Sequence, residues 1–266
     1  MDAGGGGCTS CPVCATDMSY FAPGRVLRKY DVTYLRCPGC GLITLPEPFW
    51  LDEAYEQAIA DGDVGLLRRC RVLSSLTAAV IRAEGLRDGR FLDWAGGYGT
   101  LTRMMRDKGF AFFHWDPYAE NLFAQGLEQN PSGQHFDVVT AFEVVEHLQD
   151  PVAELAECAA ITDRLLFTTE LQPEGLRSVD EWWYFAPESG QHIAFHTAAS
   201  LRILGERLGY QVTSNGDQYH LFHRGPVRPA TRVILSPVVS RTKRSLGAAL
   251  RRVRKVPAET PAPSVG

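Results

Sequence analysis

Between Arg90 and His223, short apolar runs (Phe91-Leu92, Phe110 to His114, Phe136 to Thr140, Leu165 to Thr168) alternate with stretches long enough for a helix. Strands joined by helix-length crossovers pair in parallel and are covered on both faces by the connecting helices, so this spacing predicts an α/β fold. The end of the segment reads differently. Thr197 is placed to cap a helix running to about Leu208, and Gly209 stops it. Tyr210 to Ser214 and Asp217 to His223 then flank Asn215-Gly216, a strong hairpin signal, so the sheet is expected to finish with an antiparallel pair.

Three segments follow from this core: a cysteine-bearing knob over 1–48, the main domain over 49–223 with its leading helices, and a tail over 224–266. From about Phe49 to Gly85 the chain reads as helical, with Leu66, Cys70, Leu73, Thr77, Val80 and Glu84 at helical spacing and Gly85 as the stop. Charge divides the chain at the tail. Residues 1–223 carry a net charge of −13, whereas 224–266 carry +9, with a basic helical patch around Leu246, Leu250 and Val253 before a Pro/Ala/Ser end that reads as disordered.

In the knob, Cys11-Pro-Val-Cys14 is followed after 22 residues by Cys37-Pro-Gly-Cys40. Two C-x-x-C turns deliver two thiolates each, which suits a tetrahedral four-sulfur zinc site with no position open for water, hence a structural Zn2+. Cys8 is a spare thiol or a stand-in ligand, and Cys70 and Cys158 fall in expected helices as packing residues.

The second chemical motif is Phe91-Leu-Asp-Trp-Ala-Gly-Gly-Tyr-Gly99, a strand ending in a glycine turn that opens a helix at Thr100. Backbone at such a turn can approach a ligand closely. Asp116 lies 23 residues beyond Asp93 at the end of the next strand, positioned to accept hydrogen bonds from both hydroxyls of a ribose. A nicotinamide site is the rival, but Gly97-Tyr-Gly99-Thr-Leu-Thr102 lacks the last glycine of G-x-G-x-x-G.

The stretches Leu92 to Gly99, His114-Trp-Asp116 and Phe136-Asp-Val-Val-Thr-Ala-Phe-Glu-Val-Val-Glu-His-Leu-Gln-Asp-Pro151 resemble the first, second and fourth motifs of the class I S-adenosylmethionine-dependent methyltransferases, over about residues 66–223. The resemblance implies a Rossmann-like sheet of seven strands with the seventh antiparallel. It places Asp93 near the methionine amino end of the cofactor, Gly97 and Gly99 against its backbone and Asp116 on its ribose, with Ala95, Gly96 and Phe142 completing the expected cofactor-binding set. Two departures stand out. Ala95 replaces the usual first glycine, so it is expected to keep a negative φ. Only about 20 residues separate Asp116 from Asp137, so the third strand must be abbreviated.

Glu143, Glu146 and His147 leave the end of the strand Phe136 to Thr140, where the ligand crevice of an open α/β sheet lies. Either glutamate would bring negative potential to a sulfonium, and His147 is a candidate proton acceptor; the alternative is that Glu146 and His147 merely start a helix. After the fifth strand come Glu170, Trp182-Trp183-Tyr184-Phe185 and Gly190-Gln191-His192, ending in His196. Flat aromatic faces suit sugars, aromatic acceptors or a sulfonium. Alternatively, Trp182 and Phe185 plug the seam between knob and sheet. His192 is the favoured general base, with His196 a second candidate.

The resulting expectation is a methyltransferase acting on a small molecule: a saccharide, a glycoconjugate precursor or another hydroxylated metabolite. The alternatives are an RNA methyltransferase, which the acidic body disfavours, and a non-catalytic scaffold binding zinc and cofactor. The basic tail would dock on a protein partner or an anionic membrane surface. No run approaches a membrane span and the first residues lack a signal core, so a cytoplasmic location is expected.

Overall fold

The computed structural model describes residues 9–55 and 65–237. In chain order the elements are β1 (Ser19–Val26), β2 (Tyr30–Arg36), β3 (Ile43–Thr44), α1 (Leu51–Ala54), α2 (Leu66–Glu84), β4 (Arg90–Trp94), α3 (Thr100–Asp107), β5 (Ala111–Trp115) and β6 (Val138–Ala141). They continue with α4 (Pro151–Ile161), β7 (Arg164–Thr168), β8 (Ala194–Phe195), α5 (Ala198–Arg207), β9 (Gln211–Ser214), β10 (Tyr219–His223) and α6 (Pro229–Ile234).

The main sheet has the order β5-β4-β6-β7-β10-β9, with β5, β4, β6 and β7 parallel and β10 antiparallel to both its neighbours. The expected antiparallel finish is present, but the sheet has six strands rather than seven. Residues 117–135 are too few for a helix, a strand and a second helix. They fold into turns, and what remains of the third strand is one parallel bridge between His114 and Glu128. Helices cover both faces. Leu73, Ala78 and Ile81 of α2, Leu101 and Met105 of α3 and Leu235 pack with Phe91, Phe112, Val138 and Leu166 of the strands. Leu155 and Cys158 of α4 and Leu201 and Leu204 of α5 pack with Leu92, Val139 and Phe167 on the other face.

Local sequence explains several element ends. Gly85 takes φ +72° and donates its N–H back to α2, while Asp150 caps α4 ahead of Pro151 at the first turn. Thr197 and Ser200 form a reciprocal capping box on α5. The buried Glu84 carboxylate joins distant parts: Oε1 accepts from Arg228 N and Thr231 Oγ1, and Oε2 lies 3.3 Å from Arg164 Nε. This ties α6 to α2 and β7. The basic patch around Leu246 lies outside the described residues, as does Cys8. Among the described residues no helix is long and apolar enough to cross a membrane.

The small sheet has the order β1-β2-β3-β8, so its fourth strand comes from the loop that follows β7. Trp182, Tyr184 and Phe185 are buried with Tyr34, Ile43 and Trp50 in the core of the small sheet, and among the described residues none of the main sheet belongs to that cluster. Trp183 alone of that run is exposed, at 72%.

Candidate active site

Ligand-facing residues gather at the carboxyl ends of β4 to β7, because each parallel strand there hands over to a loop. After β4, Ala95 has φ +54°, contrary to the negative φ expected of it. The next position explains why a non-glycine residue accepts that conformation, which costs about 1–2 kcal/mol. A Cβ on Gly96 would come within 2.6 Å of Asp93 Oδ2 and 2.7 Å of His114 Nδ1, so the glycine is needed there for space and the sharp turn falls on Ala95.

Gly97 and Gly99 also have positive φ, but their surroundings differ. A Cβ on Gly97 would meet nothing within 4 Å, leaving a backbone face open to a ligand, whereas one on Gly99 would lie 2.7 Å from Ala124 Cβ. Gly99 therefore packs under the 121–124 turn, whose Leu122 and Phe123 N–H groups donate to Tyr98 O. Asp116 closes the loop. Its Oδ2 accepts from Gly97 N at 2.8 Å, and its Oδ1 accepts from Tyr118 N and Ala119 N at 2.8 and 2.9 Å. Asp93 is buried, accepts from Thr140 Oγ1 at 2.8 Å, and is pushed up to about 7 by burial. Phe142, at the end of β6, packs partly against the α2-side core.

A second group forms where β6 turns into the segment Val145–His147. Glu143 sits at φ +57°, held by its N–H on Thr168 Oγ1 (2.8 Å) while that hydroxyl donates to Glu143 Oε1 (3.1 Å). Glu143 also pairs with Arg69 of α2 at 3.6 Å and borders a cavity of about 270 Å³ lined by Arg68, Arg69, Val72 and Tyr219. Glu146 is fully buried: Oε1 accepts from Tyr184 Oη at 2.6 Å, Oε2 has no partner, and burial raises its pKa.

His147 and His192 lie beside Glu146 with ring centroids 4.9 Å apart. His147 Nδ1–H donates to Gln191 O (2.9 Å) and His192 Nδ1–H to Tyr184 O (2.7 Å), which leaves each Nε2 as the acceptor nitrogen. Burial pushes His147 down to about 4, too low to hold a proton at neutral pH. His196 is fully buried against Ser200 Oγ, and burial pushes it down to about 3. Three of the four expected catalytic side chains thus meet in one group, and Glu143 borders it. Arg69, Thr168 and the Tyr184 hydroxyl are polar neighbours of these residues that sequence reasoning did not single out. Arg69 carried no signal, and Tyr184 was legible only as one ring of an aromatic run.

The four cysteines also converge, with all four sulfurs within 4.8 Å of one another. Cys11 and Cys40 Sγ are 3.6 Å apart, and Cys14 and Cys37 Sγ are 3.3 Å apart. Four thiolates about 2.3 Å from one ion make edges of nearly this length, so the donors fit a closed tetrahedral site. Cys11, Cys37 and Cys40 are buried in the core shared with α5. Thr197 Oγ1 donates to Cys40 O at 2.6 Å and Arg207 to Pro12 O and Val13 O at 3.1 and 3.0 Å, binding the cysteine turns to both ends of that helix.

A ubiquinone biosynthesis O-methyltransferase from Rhodopseudomonas palustris (strain BisB18) is 35% identical over 89 residues, covering 27% of this chain and 35% of that protein. The chain thus matches about a third of that curated relative's length. Among solved structures, a magnesium protoporphyrin IX methyltransferase from Synechocystis PCC 6803 with bound SAH aligns at 17% identity and TM-score 0.44, covering 67% of this chain and 96% of that one. An O-methyltransferase family protein from Burkholderia thailandensis aligns at 13% identity and TM-score 0.46, covering 66% and 63%. The model of a methyltransferase domain matches residues 67–215, from the first turn of α2 to the end of β9, and on that match the chain belongs to the methyltransferase domain family.

Proposed function

We propose that the protein is an S-adenosylmethionine-dependent methyltransferase that methylates an oxygen of a small hydroxylated acceptor, with a saccharide or glycoconjugate precursor as the favoured class. The observation that carries this reading is the loop closed by Asp116 on Gly97 N, with the open face of Gly97 at the same sheet rim as the Glu146–His147–His192 group. The 35% identity to an O-methyltransferase over 89 residues supports oxygen as the nucleophile. The acidic body, at −13 over residues 1–223, favours a small acceptor over RNA.

When bound, the cofactor supplies a methyl group activated on a sulfonium. The chain's own part is placement. Asp116 orders the loop and accepts from the ribose hydroxyls, and Asp93 fixes β4 beneath it. Glu143, half-exposed at the rim, adds negative potential near the sulfonium. Holding donor and acceptor in line in a closed crevice can contribute about 7–11 kcal/mol. Loss of the acceptor's proton falls to the histidine and glutamate group. The four thiolates of Cys11, Cys14, Cys37 and Cys40 hold one structural Zn2+, whose role is to fold the knob against α5.

The test is mass analysis for co-purified cofactor and a methyl-transfer screen across sugars, small phenols and RNA. Methylated sugar or phenol is expected; methylated RNA alone, or cofactor without transfer to any acceptor, overturns the reading. With an acceptor found, His192→Ala should lower kcat by about 10²-fold at unchanged donor affinity. Normal turnover would remove His192 from the chemistry.

A further inference from the structure

We infer that Glu146, His147 and His192 form a binding site for one divalent first-row transition cation, separate from the four-cysteine site and open toward the methyl acceptor. Its assigned role rests on the methyl-transfer reading, whereas the site itself stands on geometry.

One ligand atom from each of the three residues lies within 4.8 Å of the other two. A cation about 2.0–2.2 Å from nitrogen and oxygen donors gathers such a set through small side-chain rotations. Both rings are oriented from behind: the Nδ1–H groups are held by the Gln191 and Tyr184 carbonyls at 2.9 and 2.7 Å, so Nε2 is the nitrogen that each ring offers to a cation. Metal-bound histidines are held in this way by a second hydrogen bond. The carboxylate is oriented as well. Tyr184 Oη fixes Glu146 Oε1 at 2.6 Å and leaves Oε2 fully buried without a partner. A buried carboxylate oxygen with no partner is costly. A cation between it and the two rings removes that cost.

Two imidazoles and one carboxylate suit Mn2+, Fe2+, Co2+, Ni2+ or Zn2+ better than Ca2+ or Mg2+, which take all-oxygen ligand sets. Three protein ligands leave coordination positions for substrate, unlike the closed four-sulfur site. A cation held there would raise the acidity of an acceptor hydroxyl, and the proton would then pass to water in place of the direct transfer to a histidine that the metal-free group would make, because the metal would occupy both Nε2 lone pairs. The oxygen's electron pair then forms the new C–O bond while the C–S pair stays on sulfur. The cation's charge is unchanged throughout.

The experiment is titration of the full-length, zinc-loaded protein with Mn2+ and separately with Co2+, by calorimetry and by Co2+ visible absorption. One cation per chain beyond the cysteine-bound metal is expected. Glu146→Gln and His192→Ala should each weaken it at least tenfold, and thermal melts of both variants check that they fold. No binding of either ion, or equal binding by folded variants, overturns the site. A bound cation whose addition leaves methyl transfer unchanged overturns the role. Binding without methyl transfer to any acceptor leaves the site standing and overturns the methyltransferase reading, so the two failures are distinguishable.

Discussion

The loop between Asp93 and Asp116 and the group around Glu146 face the same sheet rim but are built in opposite ways. The first is local: one strand, one glycine turn, one helix and the next strand place Asp116 Oδ2 2.8 Å from Gly97 N, a separation of 19 residues. The second is assembled across the chain. Glu146 meets Tyr184 from 38 residues away, and Glu143 meets Arg69 from α2. The loop that carries Tyr184 and His192 is fixed in turn by the knob and the turn that follows it: Thr44 Oγ1 donates to Ile193 O at 2.9 Å, Trp50 Nε1 to Gly190 O at 2.8 Å, and Arg36 to Leu176 O at 2.9 Å. The glycine loop therefore depends on its own spacing, and the polar group depends on the knob.

Four perturbations bear on that contrast. The largest effect is expected from Cys37→Ser. Losing one of four thiolates should release the zinc and loosen β1–β3, β8 and the His192 loop together, at a cost of several kcal/mol, because a structural zinc contributes folding free energy. Metal analysis and thermal unfolding check it; full zinc content with an unchanged Tm would mean the knob stands without metal. Phe185→Ala comes next. Its ring is fully buried, with a centroid 4.4 Å from that of Phe195 and 5.2 Å from that of Tyr34. The expected loss is about 3–5 kcal/mol in denaturant unfolding. Acceptor KM should rise while donor affinity holds; a fall in donor affinity instead would show the two regions to be coupled.

On the local side, Asp116→Ala should weaken donor binding by about 2–4 kcal/mol, from lost charge-assisted hydrogen bonds. Calorimetry with unchanged affinity would refute the ribose assignment. The smallest effect concerns Asp93, raised to about 7 by burial. A carboxyl whose native pKa is raised binds more protons folded than unfolded between about 4 and 7, so its contribution to stability falls as pH rises through that window. Asp93→Asn keeps an oxygen acceptor for Thr140 and cannot ionise. Its Tm should gain on the wild type at pH 8 and lose that advantage toward pH 4. A pH-independent difference would mean the carboxyl does not titrate there.

Much of the fold was legible from residue spacing. Period and punctuation marked the strands at Phe91, Phe110, Phe136 and Leu165, the capped helix from Thr197 and the hairpin at Asn215-Gly216, because these signals are local. The short interval between Asp116 and Asp137 foretold a reduced third strand, though not its contraction to a single bridge at Glu128. The positive φ of Ala95 lies outside the reach of such signals. The rule that disfavours a side chain in a left-handed turn is local, but the crowding of Gly96 by Asp93 and His114 is tertiary.

By itself, the sequence determined the α/β class, the glycine loop with its acid and the four-cysteine set, since each follows from spacing within one segment or from the chemistry of four thiols. Only the tertiary structure decided that β8 leaves the main-domain loop to join the knob. It also decided that Trp182 and Phe185 enter the core of the small sheet, and that Glu146, His147 and His192 converge behind Tyr184. Contacts across 38 to 149 residues are set by how whole elements pack, and no local period encodes them.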